Sequence, residues 1–154
     1  MIATTAVRNR PRTLRAAAVL GALLWTTSAC GKDSSAKASE PDWQEPSSYT
    51  YTLTSSEGER ALIGTFDITV RDAKVVKAVG LDESARRVVK QLPDQVPTIG
   101  DLLDELAQAR EDGAHQAEVE HAGAGHPVRI WLDWEENAID DEALYVISDY
   151  EPLA

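Results

Sequence analysis

The sequence predicts an α+β domain in which an antiparallel sheet carries one main helix packed on one face. Three observations support this prediction. Apolar and polar residues alternate in three early segments, a capped helical pattern lies in the middle, and alternation returns in three late segments. Because short links join the early strands, they are expected to form an antiparallel meander. The predicted order of elements is β-β-β-α-α-β-β-β.

The early strands begin at Tyr49. Tyrosine and leucine alternate with threonine over residues 49–54, and the same period of two returns over residues 65–70 and 75–79. Glu57-Gly58 predicts a turn after the first strand. Asp72-Ala73 stands where a tight hairpin turn is expected, although alanine tolerates a positive φ less well than glycine.

Two helices are predicted between the strands. Asp82 is a suitable N-cap for a short helix that ends before Pro93. The second and stronger helix begins with the capping box Thr98-x-x-Asp101 and stops at Gly113. Its apolar stripe is centred on Leu103. The members of that stripe are Ile99, Leu102, Leu103, Leu106 and Ala107.

The late strands are predicted over residues 117–121, 128–134 and 144–147. In the second of them, Trp134 shares a face with Ile130 and Leu132, which places it in the core. Trp131 shares the opposite face with Arg129 and Asp133. It is either covered by the second helix or exposed as part of a contact surface.

The first 29 residues have the three parts of a secretory signal peptide. They contain four arginines and no acidic residue, followed by an apolar run from Ala16 to Trp25 and then small and hydroxyl residues. The apolar run is shorter than the roughly 20 residues that span a bilayer. Thr27-Ser28-Ala29-Cys30 resembles the bacterial lipobox, which implies cleavage between Ala29 and Cys30 and a diacylglyceryl group on Cys30. The alternative is an ordinary signal peptidase site followed by an unmodified cysteine.

The predicted organisation is a signal peptide at residues 1–29, a lipidated cysteine with a flexible tether at 30–48, and one globular domain at 49–151. The tether is rich in Ser, Ala, Lys, Glu and Pro. Trp43 is its one large aromatic residue, and it either packs on the domain or makes a functional contact. The chain has a single cysteine, which excludes an intramolecular disulfide and a thiolate metal cluster.

Charge narrows the range of partners. The formal net charge is −11, and beyond residue 29 there are 26 acidic residues against 11 basic ones. Such a chain is not expected to bind nucleic acid, which requires clustered Lys and Arg. It would also be repelled by an anionic membrane surface, so the lipid on Cys30 is expected to supply the membrane affinity.

Three stretches of the chain together resemble a known family. These stretches are residues 49–76, 97–109 and 125–150. Four motifs in them carry the resemblance: a leading tyrosine strand, a Val-Arg-Asp-x-Lys-Val hairpin, a Pro-Thr-Ile helix start, and Gly-His-Pro before a strand that ends in Asp-Trp. They look like the domain of unknown function 6174 family, small exported lipoproteins frequent in actinobacteria. Members often carry a cysteine after the first strand, which this chain lacks. The resemblance implies a fold and export as a lipoprotein, but it implies no activity.

Few residues in the sequence suggest metal binding or catalysis. His121 and His126 flank a turn and could hold zinc or copper with nearby carboxylates, although turn histidines are usually structural. The acidic residues of segment 135–142 form a solvated loop or a weak calcium site, and they lack the spacing of a calcium-binding loop. No Gly-x-Ser-x-Gly, phosphate loop or dinucleotide fingerprint is present, so no catalytic residue and no cofactor is predicted.

The sequence therefore favours a lipid-anchored, non-catalytic module on the extracytoplasmic face of the cell membrane. Its expected partner is an envelope protein or a cell-wall component, with Trp131 in the contact surface. Two alternatives stay open, a hydrolase acting on cell-wall sugar and an extracytoplasmic metal-binding protein.

Overall fold

The computed structural model describes residues 41, 43–138 and 140–154 of the chain. In that part of the chain, six strands form one antiparallel sheet, and two α-helices lie between the third and fourth strands. The predicted α+β class with an antiparallel sheet is confirmed. None of the described helices is both long and apolar enough to cross a membrane.

Each strand and helix begins within a few residues of its expected position, and most of them extend further than the pattern suggested. The strands are β1 (Tyr49–Ser56), β2 (Gly64–Arg71), β3 (Lys74–Gly80), β4 (Gln116–His121), β5 (Pro127–Asp133) and β6 (Ala143–Pro152). The helices are α1 (Glu83–Gln91) and α2 (Ile99–Asp112), separated by a single 3-10 turn at Pro93–Gln95. In space the strands follow the order β3-β2-β1-β6-β5-β4, so β1 and β6 lie at the centre and β3 and β4 at the edges.

The central pair of strands brings the two ends of the domain together. β1 pairs with β2 through Tyr51 and Ile68, and with β6 through Leu53 and Ile147. Alternate residues of β1 are buried and belong to one apolar cluster with residues of both helices. Each helix contacts two neighbouring strands, α1 against β2 and β3 and α2 against β4 and β5.

The hairpin between β2 and β3 turns at Asp72 and Ala73, as predicted. Their φ angles are 51° and 56°, both in the left-handed region. Two successive residues in this region are typical of a type I′ turn, whose twist matches that of the strands it joins. The Ala73 N–H donates to the Ser47 carbonyl at 3.0 Å, which fixes the hairpin beside the start of β1.

α1 begins at the predicted cap. The Asp82 carboxylate accepts hydrogen bonds from Ala85 N at 2.8 Å and from Thr65 N on β2 at 2.6 Å. The bond from Ala85 is the largest cause that holds the pKa of Asp82 below its usual value, and burial opposes it. Asp82 therefore caps the helix and joins it to the sheet at the same time.

Asp82→Ala is expected to lower the free energy of unfolding by about 1–2 kcal/mol near neutral pH, because both backbone N–H groups lose their acceptor. Since the pKa of Asp82 is lower in the folded state than in the unfolded chain, its stabilisation is present above the unfolded pKa and is lost as pH falls through the folded pKa. Urea denaturation at pH 7 and pH 3 should show the gap between wild type and variant closing in acid. Glu83→Ala is the control, because Glu83 is exposed and pairs with Arg87, also exposed, at 3.6 Å. A gap of the same size at both pH values would contradict this role.

α2 has the predicted capping box, with Thr98 Oγ1 and the Asp101 carboxylate each accepting from the other's backbone N–H, and it ends at the left-handed Gly113. The predicted centre of its stripe is wrong. Leu103 is only half-buried and Ala107 is exposed, because the buried ridge follows the spacing of 3, 4 and 3 residues that one face of an α-helix requires. The residues of that ridge are Ile99, Leu102, Leu106 and Ala109.

β6 extends five residues beyond its predicted end at Ile147. The added residues are mostly polar and exposed, so their pattern gave no strand signal. They are held by β1, with Thr50 opposite Glu151 after a bulge, and Asp149 near that bulge has a φ of 50°. Backbone pairing with a distant strand, rather than burial, defines this end of the sheet.

The described residues just before β1 contact the fold. The Trp43 ring meets the Tyr150 ring edge to face at 6.2 Å, so it packs on the domain. The Glu45 carboxylate accepts from Gly100 N at 3.0 Å and from the Tyr49 hydroxyl, and that hydroxyl accepts from Ile99 N at 2.8 Å. Burial, and then the Glu45 hydrogen bond, raises the pKa of Tyr49 well above its ordinary value. This contact ties the chain before β1 to the start of α2.

Candidate functional site

Residues of β1, β2, β3 and β6 line a broad groove of about 480 Å³, and Lys77 and Val79 are its lining residues from β3. By strand alternation, the outward face of the sheet carries Thr50, Thr52, Thr65, Asp67, Thr69 and Arg129. Asp67 is exposed and the other five are half-buried. Thr52 Oγ1 donates to Asp67 Oδ1 across the strand pair at 3.0 Å. The groove is therefore polar, with hydroxyl and carboxylate groups as its main hydrogen-bonding groups.

Trp131 lies on β5 with its side chain half-buried. Its neighbours Ile130 and Leu132 are fully buried, so the alternation of a strand places Trp131 on the other face. The Arg129 guanidinium lies 6.0 Å from the centre of the Trp131 ring, a cation–π distance, and Arg129 also pairs with Glu120 at 3.1 Å. A charged side chain thus borders the ring.

Two apolar side chains of β6 continue the surface of Trp131. By strand register, Leu144 lies opposite Trp131, and Val146, which is 38% exposed, lies opposite Arg129. Side chains opposite each other in an antiparallel pair are near neighbours on the same face. We call Trp131, Leu144 and Val146 the Trp131 patch.

Trp134, expected in the core, is half-buried and packs against the core cluster. It lies one residue beyond the end of β5. Its carbonyl accepts a hydrogen bond from His115 N at 3.3 Å, which joins the end of β5 to the chain that enters β4. Trp134 therefore belongs to the packing of the domain rather than to the outward surface.

A second concave feature, of about 320 Å³, lies between the β1–β2 loop and α2. Arg60 donates to the Tyr145 hydroxyl at 2.7 Å and to Ser55 Oγ at 2.9 Å, and its guanidinium lies 4.4 Å from the centre of the Tyr145 ring. The Tyr145 hydroxyl donates to Glu105 at 2.5 Å, and Arg60 also faces Glu105 at 3.8 Å. Burial, followed by the Glu105 hydrogen bond, raises the pKa of Tyr145 well above its ordinary value. We call this the Arg60 cavity.

The polar groups of the Arg60 cavity form hydrogen bonds within the protein. Glu105 accepts from Tyr145, and Asp101, which also lines the cavity, accepts from Thr98 N in the capping box. These two carboxylates are therefore engaged in structural hydrogen bonds. The network joins the β1–β2 loop to α2 and β6. Sequence reasoning missed it because its members are 5 to 85 residues apart.

His126 and Asp140 make contacts within the domain, and His121 is the last residue of β4. The His126 ring stacks on the Tyr150 ring at 4.4 Å, and the His126 carbonyl accepts from Ala122 N at 2.9 Å. Asp140, in the acidic loop, accepts from Glu59 N through its backbone carbonyl at 3.0 Å. Within residues 41, 43–138 and 140–154, no group of three or more His, Cys, Asp or Glu side chains is placed to hold a metal ion.

A comparison of the chain with known protein families identifies its family. A family model described as a family of unknown function, DUF6174, matches residues 35–152. The chain belongs to the DUF6174 family. No curated protein and no solved structure gives a significant match. The DUF6174 region includes both the Trp131 patch and the Arg60 cavity, and it starts before β1, in agreement with the contacts that Trp43 and Glu45 make.

The predicted cellular location of this DUF6174 protein depends on residues outside the described part of the chain. Ala29 and Cys30, the predicted cleavage and lipidation residues, both lie there. Of the residues predicted for cleavage, lipidation and partner contact, Trp131 is the one that the structure describes.

Proposed function

We propose that this protein is a lipid-anchored lipoprotein on the extracytoplasmic face of the cell membrane, and that its domain is a non-catalytic binding module. The proposed partner is an envelope protein or a cell-wall component, bound at the Trp131 patch. The observation that carries the binding role is the half-buried tryptophan on the outward side of β5, bordered by apolar residues of β6 and by Arg129.

The proposal includes the packing of the main helix, α2, on one face of the sheet, within the order β-β-β-α-α-β-β-β. Residues of α1 and α2 share one apolar cluster with buried residues of β1, β2, β5 and β6. Alternate residues of the strands point away from that cluster, so the opposite face is available for contact. A large aromatic ring on such a face is energetically favoured when a partner covers it.

The support for the proposed lipid anchor at Cys30 comes from the sequence. A basic segment, a short apolar run and Thr27-Ser28-Ala29-Cys30 support export and lipidation. Two or more acyl chains on one cysteine provide stable attachment, since each buried methylene contributes about 0.8 kcal/mol. The acidic charge of the rest of the chain makes such an attachment necessary if the domain is to stay at a membrane.

Cys30→Ser is expected to abolish membrane attachment, because serine has no thiol to carry the diacylglyceryl group. The measurement is fractionation of the producing cells, with intact mass spectrometry of the protein recovered from each fraction. The variant should accumulate as uncleaved precursor or as protein released without lipid. A mature, membrane-bound variant with an unchanged lipid mass would refute the anchor. Ser28→Thr, two residues before the cysteine, is the control that keeps the thiol.

Trp131→Ala is expected to weaken partner capture by about tenfold or more, the effect typical of a central aromatic residue in an interface. The measurement compares capture by lipidated wild type and variant from the protein's own envelope, with thermal denaturation as the test of folding. Trp43→Ala is the matched control, because Trp43 is another half-buried tryptophan and packs on Tyr150 instead. Unchanged capture would remove Trp131 from the contact surface, and a collapse of the melting transition would place it in the core.

A further inference from the structure

The polar groove over β1 and β2 has opposite charges at its two ends. Lys77 lines it from β3, and Asp149 and Glu151 line it from the end of β6. All three side chains are exposed. Within the described part of the chain, neither Lys77 nor Glu151 forms a salt bridge. We call this feature the threonine groove, because Thr50 and Thr69 lie between its charged ends.

Strand register places these charges and hydroxyls in one row across the sheet. Lys77 lies opposite Thr69, and Thr69 lies opposite Thr50. Thr50 in turn lies opposite Glu151. Three strand spacings of about 4.8 Å place the backbones of Lys77 and Glu151 about 14 Å apart. The row therefore consists of a cation, two hydroxyls and an anion, in that order.

A bulge adds a second carboxylate at the acidic end of the groove. The register between β1 and β6 shifts between Thr50 and Thr52, and Asp149 has a φ of 50°. Because a bulge changes the direction of side chains on its strand, Asp149 lines the groove together with Glu151. The end at β6 therefore offers two carboxylates to a positively charged group.

A second row runs beside the first. Val79 lies opposite Asp67, and Asp67 lies opposite Thr52, whose hydroxyl donates to it at 3.0 Å. Val79 is 41% exposed, so it offers an apolar contact next to the lysine end. Charged, hydroxyl and apolar groups are thus all within one groove.

We propose that the threonine groove binds a short extended peptide with free ends, its carboxylate at Lys77 and its ammonium group at Asp149 and Glu151. Hydrogen bonds between oppositely charged groups are stronger than neutral ones. A threonine hydroxyl both donates and accepts, which suits the C=O and N–H groups of a peptide backbone. An extended chain rises about 3.3–3.6 Å per residue, so about four residues match the length of the row.

The charges of the groove favour this ligand over others. A polyanion would meet the three carboxylates of Asp67, Asp149 and Glu151, and a polycation would meet Lys77. An uncharged sugar chain would bond to the hydroxyls but would not pair with either charged end. The groove volume of about 480 Å³ lies within the roughly 300–1,000 Å³ that is usual for small-ligand sites.

This inference goes beyond the proposed function, because the groove is separate from the Trp131 patch. Leu144 of that patch and Glu151 of the groove are both on β6, seven residues apart, which corresponds to about 20 Å. The test below uses neither the lipid anchor nor Trp131, so it can fail while the proposed function holds.

The test is a calorimetric titration of the full-length mature protein, recovered from the producing cells, with tetraalanine that has free ends. Saturable binding is expected. N-acetyl-tetraalanine and tetraalanine amide each lack one terminal charge, and each should bind about tenfold more weakly. Dialanine should also bind more weakly, because it is too short to reach both ends of the row.

Two variants assign the two ends of the peptide. Lys77→Met keeps the aliphatic stem and should make tetraalanine and its amide bind equally. Asp149→Asn combined with Glu151→Gln should make tetraalanine and its acetylated form bind equally, and asparagine tolerates the positive φ at residue 149. Lys74→Met is the matched control, because Lys74 is on the same strand but lines a different cavity, and it should bind as wild type does.

Thr50→Val tests the hydroxyl row. It is expected to weaken tetraalanine binding about fivefold, since it removes one hydrogen bond and keeps the shape of the side chain. Thr54→Val is the control, because Thr54 lies farther along β1, opposite Thr65 and Val146, and it should leave binding unchanged.

Several results would overturn the proposal. They are the absence of saturable binding, equal binding of the free, acetylated and amidated peptides, and wild-type behaviour of Lys77→Met. Binding of the tetramer of N-acetylglucosamine that depends on Thr50 but not on Lys77 would replace the peptide with an uncharged sugar chain. Loss of tetraalanine binding in a folded Trp131→Ala variant would move the site to the Trp131 patch. Circular dichroism of each variant distinguishes a loss of binding from a loss of folding.

Discussion

Leu102→Ala is expected to lower the free energy of unfolding by about 2–5 kcal/mol, the range for removing a fully buried leucine side chain. Leu102 is 1% exposed and belongs to the ridge of α2 that joins the core cluster. Alanine removes apolar contacts and leaves a cavity between packed elements that relax only in part. The measurement is urea denaturation followed by far-ultraviolet circular dichroism.

Leu103→Ala is the matched control for this prediction, because it makes the same change one residue later in the same helix. Leu103 is half-buried at the edge of the ridge, so its truncation removes less buried surface and leaves an opening that water reaches. We expect a clearly smaller loss than at Leu102. Equal losses at the two positions, or a larger loss at Leu103, would show that the register of α2 against the sheet differs from the one described.

Gly80→Ala is expected to destabilise the fold by about 1–3 kcal/mol or more, because it forces α1 away from β3. A Cβ atom at Gly80 would lie 2.3 Å from Arg86 N and 2.5 Å from the Ala85 carbonyl carbon, both backbone atoms of α1. Backbone atoms of a packed helix cannot rotate away as the end of a long side chain can. Thermal and urea denaturation should both show the loss.

The control for Gly80→Ala is Gly123→Ala, in the turn between β4 and β5. A Cβ atom there would meet no atom within 4 Å, and the backbone of Gly123 does not require a positive φ. We expect stability close to that of wild type. If Gly80→Ala were as stable as Gly123→Ala, the close approach of α1 to β3 would be wrong.

Much of the local structure follows from the sequence because it depends on neighbours along the chain. The alternation of Tyr49, Tyr51 and Leu53 with threonines gives β1 the same buried face in the structure. Asp82 and Thr98 cap the two helices as predicted, because an N-cap requires only a side-chain acceptor and the N–H groups of the next turn. Family membership was also correctly identified from short stretches of residues.

Other features required the tertiary structure. Leu103 and Leu102 are both apolar, and only the packing of α2 against the sheet decides which of them is buried. The end of β6 is polar, and its strand conformation depends on pairing with β1, about a hundred residues earlier in the chain. The Arg60 cavity likewise unites side chains from one loop, one helix and one strand that no spacing in the sequence connects.

The sequence by itself determined the elements, the caps, the β2–β3 turn and the family, since each depends on side chains a few residues apart or on a pattern that repeats along the chain. It left open whether Trp131 faces outward or lies under a helix. The fold decided this, because only the arrangement of the strands in space puts Trp131 beside Leu144, on the face of the sheet away from the buried residues Ile130 and Leu132.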